Sequence, residues 1–236
     1  MSIEALDWDS DFFGLPVYFA VSVDVKSLGR EIEKLKRTPG PKLVYVLCDN
    51  PCDLSFLESS QSAVHLMDEK VTYLKDQLVY RDLGGSAWEF EGEKPDDKLL
   101  DLAIESGVFS RFNKDPLIPR DKFEELYQRW IENSVNGKIA SSVLVTGSED
   151  HLTGMVTLGE KNNRADIGII AVDGNARGKG VGKTLILASQ NWAVRNGFKE
   201  LQVVTQKENS PACRLYESCG FNICKSQYVY HVWINS

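Results

Sequence analysis

The chain has 236 residues, 42% of them hydrophobic, and a formal net charge of -7. That length allows one large domain or two modest ones around a real core, and an acidic balance with no local cluster of Lys and Arg argues against nucleic acid as a partner. Five scattered cysteines without CxxC spacing, and three histidines far apart at His65, His151 and His231, supply neither a disulfide framework nor a metal-ligand set, so no metal is expected.

The opening MSIEALDWDSDFFG pairs acidic and aromatic residues where a secretory leader would need a basic start and an apolar run. No apolar stretch approaches membrane-spanning length, so a cytoplasmic protein without membrane insertion is expected. The first third then alternates strand and helix patterns: strand over 17–25, helix over 28–36 with Ser27 as its cap, strand over 42–47, a short helix over 54–60 and strand over 69–80. Asp82-Leu83-Gly84-Gly85-Ser86 breaks the pattern with paired glycines. Residues 1–85 are therefore expected to form a small α/β domain, and residues 86–236 a second, larger one.

In the second region the spacing predicts a helix over 98–104. Phe123, Leu126, Tyr127, Trp130 and Ile131 form a helical stripe within 120–135 that reads as core. A hairpin follows over 142–145 and 154–158, then a strand over 165–172 and a helix from Val181 to the stop at Asn196-Gly197. A strand over 201–205, a short helix over 212–219 capped by Ser210 with Pro211 at its first turn, and a closing strand over 228–233 complete an α/β domain.

Arg177-Gly178-Lys179-Gly180-Val181-Gly182 lies between a predicted strand and a predicted helix. Free backbone N–H groups and the helix dipole there can receive a diphosphate, glycine allows close backbone approach, and Arg177 and Lys179 add charge. Neither familiar nucleotide loop fits. Gly182-Lys183-Thr184 mimics the end of a Walker loop, but Arg177 stands where that loop needs glycine, and no GxGxxG opens an early βαβ unit.

Arg177-x-x-Gly180-x-Gly182 after Ile167-Gly168-Ile169-Ile170-Ala171-Val172 resembles the acetyl-CoA motif of the GCN5-related N-acetyltransferase (GNAT) family. The stretch Asn209-Ser210-Pro211-Ala212-Cys213-Arg214-Leu215-Tyr216-Glu217-Ser218-Cys219-Gly220-Phe221 is similar to that family's N-x-x-A-x-x-x-Y-x-x-x-G-F segment. The resemblance covers about the last 140 residues by motif placement. It implies a mixed, mostly antiparallel sheet with flanking helices, preceded here by the smaller α/β domain, and two neighbouring parallel strands that splay to admit the pantetheine arm. It further implies acetyl-CoA as acetyl donor, no metal, pantetheine pairing by the backbone of Ile170, Ala171 and Val172, and pyrophosphate binding by Arg177, Gly178, Lys179, Gly180, Val181, Gly182 and Lys183. Asn209 would hold the pantetheine side and Tyr216 would face the thioester sulfur.

Leu6-Asp7-Trp8-Asp9-Ser10-Asp11-Phe12-Phe13-Gly14, Ser110-Arg111-Phe112 and Trp130-Ile131-Glu132-Asn133-Ser134-Val135-x-Gly137 resemble the TDP-fucosamine acetyltransferase branch of that family. The branch implies a nucleotide-linked amino sugar as acceptor, with Arg111 pairing its diphosphate and Phe112 stacking on its base. Packing is the alternative for both residues. A peptide, polyamine or other small amine is the alternative acceptor, and a noncatalytic acyl-CoA-binding protein the alternative function. Residues 42–61 and 200–220 share a strand, an asparagine (Asn50, Asn209) and a short helix. This reads either as a partial, noncatalytic GNAT-like repeat that supports or dimerises the second domain, giving a homodimer, or as chance similarity. The expected chemistry is direct attack of a neutral amine on the thioester with Tyr216 as donor to sulfur; Asp166, Glu160 or a water chain would take the amine proton.

Overall fold

The computed structural model describes residues 3–21 and 24–235. In chain order the elements are β1 (Glu4–Ala5), α1 (Asp7–Phe13), β2 (Val17–Val21), α2 (Val25–Lys36), β3 (Pro41–Cys48), a 3₁₀ turn (Ser55–Leu57), β4 (Ser62–Lys75), β5 (Trp88–Glu89), α3 (Asp97–Ser106), α4 (Arg111–Lys114) and α5 (Arg120–Val135). There follow β6 (Ser142–Ser148), β7 (His151–Lys161), β8 (Arg164–Val172), a second 3₁₀ turn (Gly174–Ala176), α6 (Val181–Arg195), β9 (Leu201–Gln206), α7 (Ser210–Ser218) and β10 (Asn222–Asn235). They divide into two compact units, Met1–Lys70 with Ser226–Ser236, and Val71–Lys225.

The division falls inside β4 and returns the end of the chain to the first unit, whereas the sequence suggested a break at Gly85. The paired glycines do lie in irregular chain between Lys75 and Trp88, but β4 and β10 are long strands that contribute residues to both units. Which neighbours a strand end packs against is a tertiary choice with no local signal.

In the first unit the strand order is β1-β2-β3-β10, with β2 and β3 parallel and the other pairs antiparallel. Leu28 and Ile32 of α2 pack with Val44 and Val46 of β3 and Val232 and Ile234 of β10. The strand expected over 17–25 ends at Val21; residues 22 and 23 lie outside the described residues, and Val25 already belongs to α2. Asp24, not Ser27, caps that helix, accepting from Ser27 N at 3.1 Å and Ser27 Oγ at 2.6 Å. The helix expected over 54–60 is a single 3₁₀ turn, because the Asp53 carboxylate takes Ser55 N at 3.0 Å and Ser59 already bridges Ser62.

The second unit is mixed α/β with a mostly antiparallel sheet, ordered β4-β9-β8-β7-β6-β5, in which β8 and β9 run parallel. Leu99, Leu102 and Ala103 of α3 and Ile131 of α5 cover one face, against Val143, Val145 and Met155. Leu185, Ile186 and Ala193 of α6 cover the other, against Val156, Leu158 and Val203. Period-2 strands with helices on both faces account for this burial. Among the described residues, no helix is long and apolar enough to cross a membrane.

Candidate active site

The site begins where β8 and β9 part. Their parallel register runs Ala165↔Leu201, Asp166↔Gln202, Ile167↔Val203 and goes no further, although both strands continue. At the same level the β7–β8 register shifts between Val156 and Leu158. Two residues of β8, Gly168 and Ile169, thus stand opposite Thr157, the arrangement of a β-bulge. Ile169 N donates to Thr157 Oγ1 at 2.9 Å.

The extra residue reverses which side of the sheet β8 shows. Ala165 and Ile167 pack with α6, whereas Ile169 and Ala171 pack with α3 and α5. Ile169 N and Asp173 N both bond toward β7, the latter to Thr153 O at 2.9 Å. Alternation then turns the N–H and C=O groups of Ile170 and Val172 to the opposite edge, the one that has left β9. That edge borders a cavity lined by Ile170 and Val172.

Beyond Val172 the chain makes the 3₁₀ turn and enters α6. Gly178 and Gly180 sit at φ +74° and +85°, left-handed backbone that L side chains rarely adopt, and a Cβ built on either would touch nothing within 4 Å. Gly180 is also the N-cap of α6, and no side chain caps that helix. Gly180, Val181, Gly182 and Lys183 line the opening, so the uncapped, positive end of the helix borders it, as an anion site requires. Arg177 Nη2 pairs with Glu105 Oε1 at 2.5 Å.

A cavity of about 700 Å³ fills this gap, a volume typical of small-molecule sites. Its wall includes Ile170, Ala171, Val172, Arg177, Gly178, Gly180, Val181, Gly182, Lys183, Asn209 and Tyr216. Lys179, exposed on the turn, is absent from that wall. Asn209 also caps α7, accepting from Ala212 N at 3.3 Å, a role the sequence suggested for Ser210. Tyr216 is 2% exposed, between Tyr73 at 5.5 Å and Phe221 at 6.0 Å between ring centroids. Burial, and secondarily the nearby Cys213, pushes its phenol above the usual tyrosine range.

Several wall residues carried no signal of their own in the sequence. Tyr127 and Trp130 of α5, read there as core, join Phe109 along the cavity. Phe123, Leu126 and Ile131 are the core part of that stripe. Thr157 and Gly168 line it at the bulge, and an isolated glycine inside an apolar strand is the cue that would have found it. Arg111 and Phe112 do not line the cavity. Phe112 is 6% exposed, edge-on to Trp130 at 5.9 Å, with the Arg111 guanidinium 4.5 Å from its ring centre, so no open ring face awaits a base. Asp166, whose Oδ1 accepts from Gln202 Nε2, and exposed Glu160 are also off the wall. Glu105 is its carboxylate among the described residues.

Splayed parallel strands, a bulge and an uncapped glycine turn define a class of protein that the comparisons name. Residues 106–221 match the Acetyltransferase (GNAT) family, and the chain therefore carries a GNAT acetyltransferase domain. Over 230 residues, 96% of each chain, it is 27% identical to the dTDP-fucosamine acetyltransferase of Escherichia coli. Over 137 residues it is 28% identical to the spore coat polysaccharide biosynthesis protein SpsD of Bacillus subtilis; that match takes in 58% of this chain and spans about half (47%) of the relative. A GCN5-related N-acetyltransferase from Kribbella flavida shares the fold, with a TM-score of 0.54 at 7% identity over 94% of this chain and 82% of that one.

Proposed function

We propose that the chain is an acetyl-CoA-dependent N-acetyltransferase whose acceptor is the amine of a nucleotide-linked amino sugar. The observation that carries the first half is the parting of β8 and β9 after Ile167 and Val203, with the uncapped N-terminus of α6 at its mouth. Residues present fit the donor: the edge of β8 at Ile170 and the N–H of Val172 suit pantetheine amides, the Val172 carbonyl being taken by Arg177 Nε at 3.4 Å, and the first-turn amides of Val181, Gly182 and Lys183 with Arg177 suit a diphosphate. The donor supplies a thioester. Attack by the acceptor nitrogen forms the C–N bond as the C–S bond breaks.

In this reading Tyr216 donates its proton to the departing sulfur, a proton that a phenol with a reference pKa of about 10 carries at neutral pH. Holding both reactants in one cavity makes their encounter effectively intramolecular. Glu105 is held by Arg177, and Asp166 and Glu160 lie off the wall, so a water chain is the route assigned to the amine proton.

Support for the acceptor comes from the full-length similarity to a dTDP-fucosamine acetyltransferase and from the aromatic wall of Phe109, Tyr127 and Trp130. Aromatic faces suit the apolar face of a hexose better than a polyamine, which would need carboxylates. The test is side-by-side turnover with acetyl-CoA on nucleotide-linked amino sugars, free amino sugars, peptides and polyamines. Preference for the first class by kcat/KM is expected; preference for peptides or polyamines contradicts the acceptor and leaves acetyl transfer standing.

A further inference from the structure

Helix α3 grips the turn between β8 and α6 at both ends. Lys98 and Glu105 are seven residues apart, two turns of helix, and therefore share a face. Lys98 Nζ binds Asp173 Oδ2 where the turn opens, and Glu105 Oε1 binds Arg177 Nη2 at 2.5 Å where it closes. Asp173 is also fixed from within the turn, since its Oδ1 accepts from Asn175 N at 2.8 Å. Arg177 Nε lies 3.4 Å from Val172 O.

From this we infer that Glu105 is a positioning residue for acetyl-CoA binding, acting through Arg177; the inference rests on the cofactor reading above. An arginine carries five N–H donors. The carboxylate of Glu105 and the carbonyl of Val172 engage two of them and restrain a long, otherwise freely rotating side chain beside the uncapped end of α6. The other donors remain for an anion on a side chain that lines the cavity. Restraint before binding removes part of the ordering cost that a diphosphate would otherwise meet, and that gain outweighs the repulsion between the carboxylate and the incoming anion. The Lys98–Asp173 pair does the same for the other end of the turn.

The experiment is a double-mutant cycle read by calorimetric titration of acetyl-CoA into the full chain. Glu105→Ala should weaken binding by about three- to tenfold, and Glu105→Gln, which keeps the shape if the alanine variant folds poorly, should weaken it in the same direction. In an Arg177→Ala background neither change should weaken binding further, because the residue through which Glu105 acts is gone. An equal loss in both backgrounds, no loss, or tighter binding overturns the inference while leaving the cofactor site intact. Failure of the unmodified chain to bind acetyl-CoA overturns the cofactor reading and this inference with it.

Discussion

The amide of Ile169 donates to the hydroxyl of Thr157 at 2.9 Å, and that bond sits at the point where β8 changes the face it shows to the sheet. Thr157 is 3% exposed. Replacing it with Val keeps the shape and leaves a buried N–H without its acceptor. Thr157→Val should therefore cost about 1–3 kcal/mol of stability, read by urea unfolding, and raise the KM for acetyl-CoA by disturbing the edge at Ile170 and Val172. Unchanged stability and KM would contradict the role given to the bulge.

Tyr216→Phe removes only the hydroxyl. As donor to sulfur, its loss should lower kcat by roughly 10²-fold or more, with acetyl-CoA affinity little changed. Because burial raises the phenol's pKa, it stays protonated past the usual tyrosine value of about 10. The kcat profile should consequently show no alkaline limb from this group below about pH 10. A threefold or smaller loss, only about 0.65 kcal/mol, would return Tyr216 to packing.

Asp173 titrates below the usual carboxylate range, first because Lys98 donates to it and then because Asn175 N does. Its stabilisation is thus fully present above the unfolded value of about 4 and is lost as pH falls through the lower folded value. Asp173→Asn should flatten the acid side of the stability profile between about pH 4 and 2. An acid limb identical to that of the unmodified chain would show that the Lys98 pair adds nothing.

Much of the second unit was legible as period. The helix expected over 120–135 is α5, and the stop at Asn196-Gly197 ends α6, because amphipathic spacing and glycine exits are local signals. The glycine turn and the Tyr216 helix were likewise found from short-range motifs. The bulge left only the cue of Gly168 inside an apolar strand, and that Gly168 stands opposite Thr157 is set by how β7 and β8 pair. Nor did the stripe on α5 reveal that Tyr127 and Trp130 border a cavity, because core and wall residues share one period.

Trp130, in the stripe that the spacing marked as core, lines the cavity, whereas Phe112, the expected stacking residue, is buried away from it; on the proposed acceptor reading their substitutions should differ accordingly. Phe112→Ala should read as a core truncation of about 3–5 kcal/mol, with acceptor KM unchanged in whatever protein remains folded. Trp130→Ala should raise the acceptor KM more than the acetyl-CoA KM. Reversal of these two outcomes would restore Phe112 as the stacking platform and move the acceptor out of the cavity.

The central claim is that the gap between β8 and β9, closed by the α6 turn, holds acetyl-CoA. Gly180 occupies left-handed backbone with open space where a Cβ would lie, so a β-branched side chain there acts by distorting the turn rather than by crowding the core. Calorimetric titration of acetyl-CoA into the unmodified chain and into Gly180→Val, each checked for fold by circular dichroism, is the direct measurement. Saturable one-site binding is expected for the first and at least about a tenfold weaker affinity, worth about 1.4 kcal/mol, for the second. Equal affinity in two folded proteins, or no binding by the unmodified chain, would contradict it.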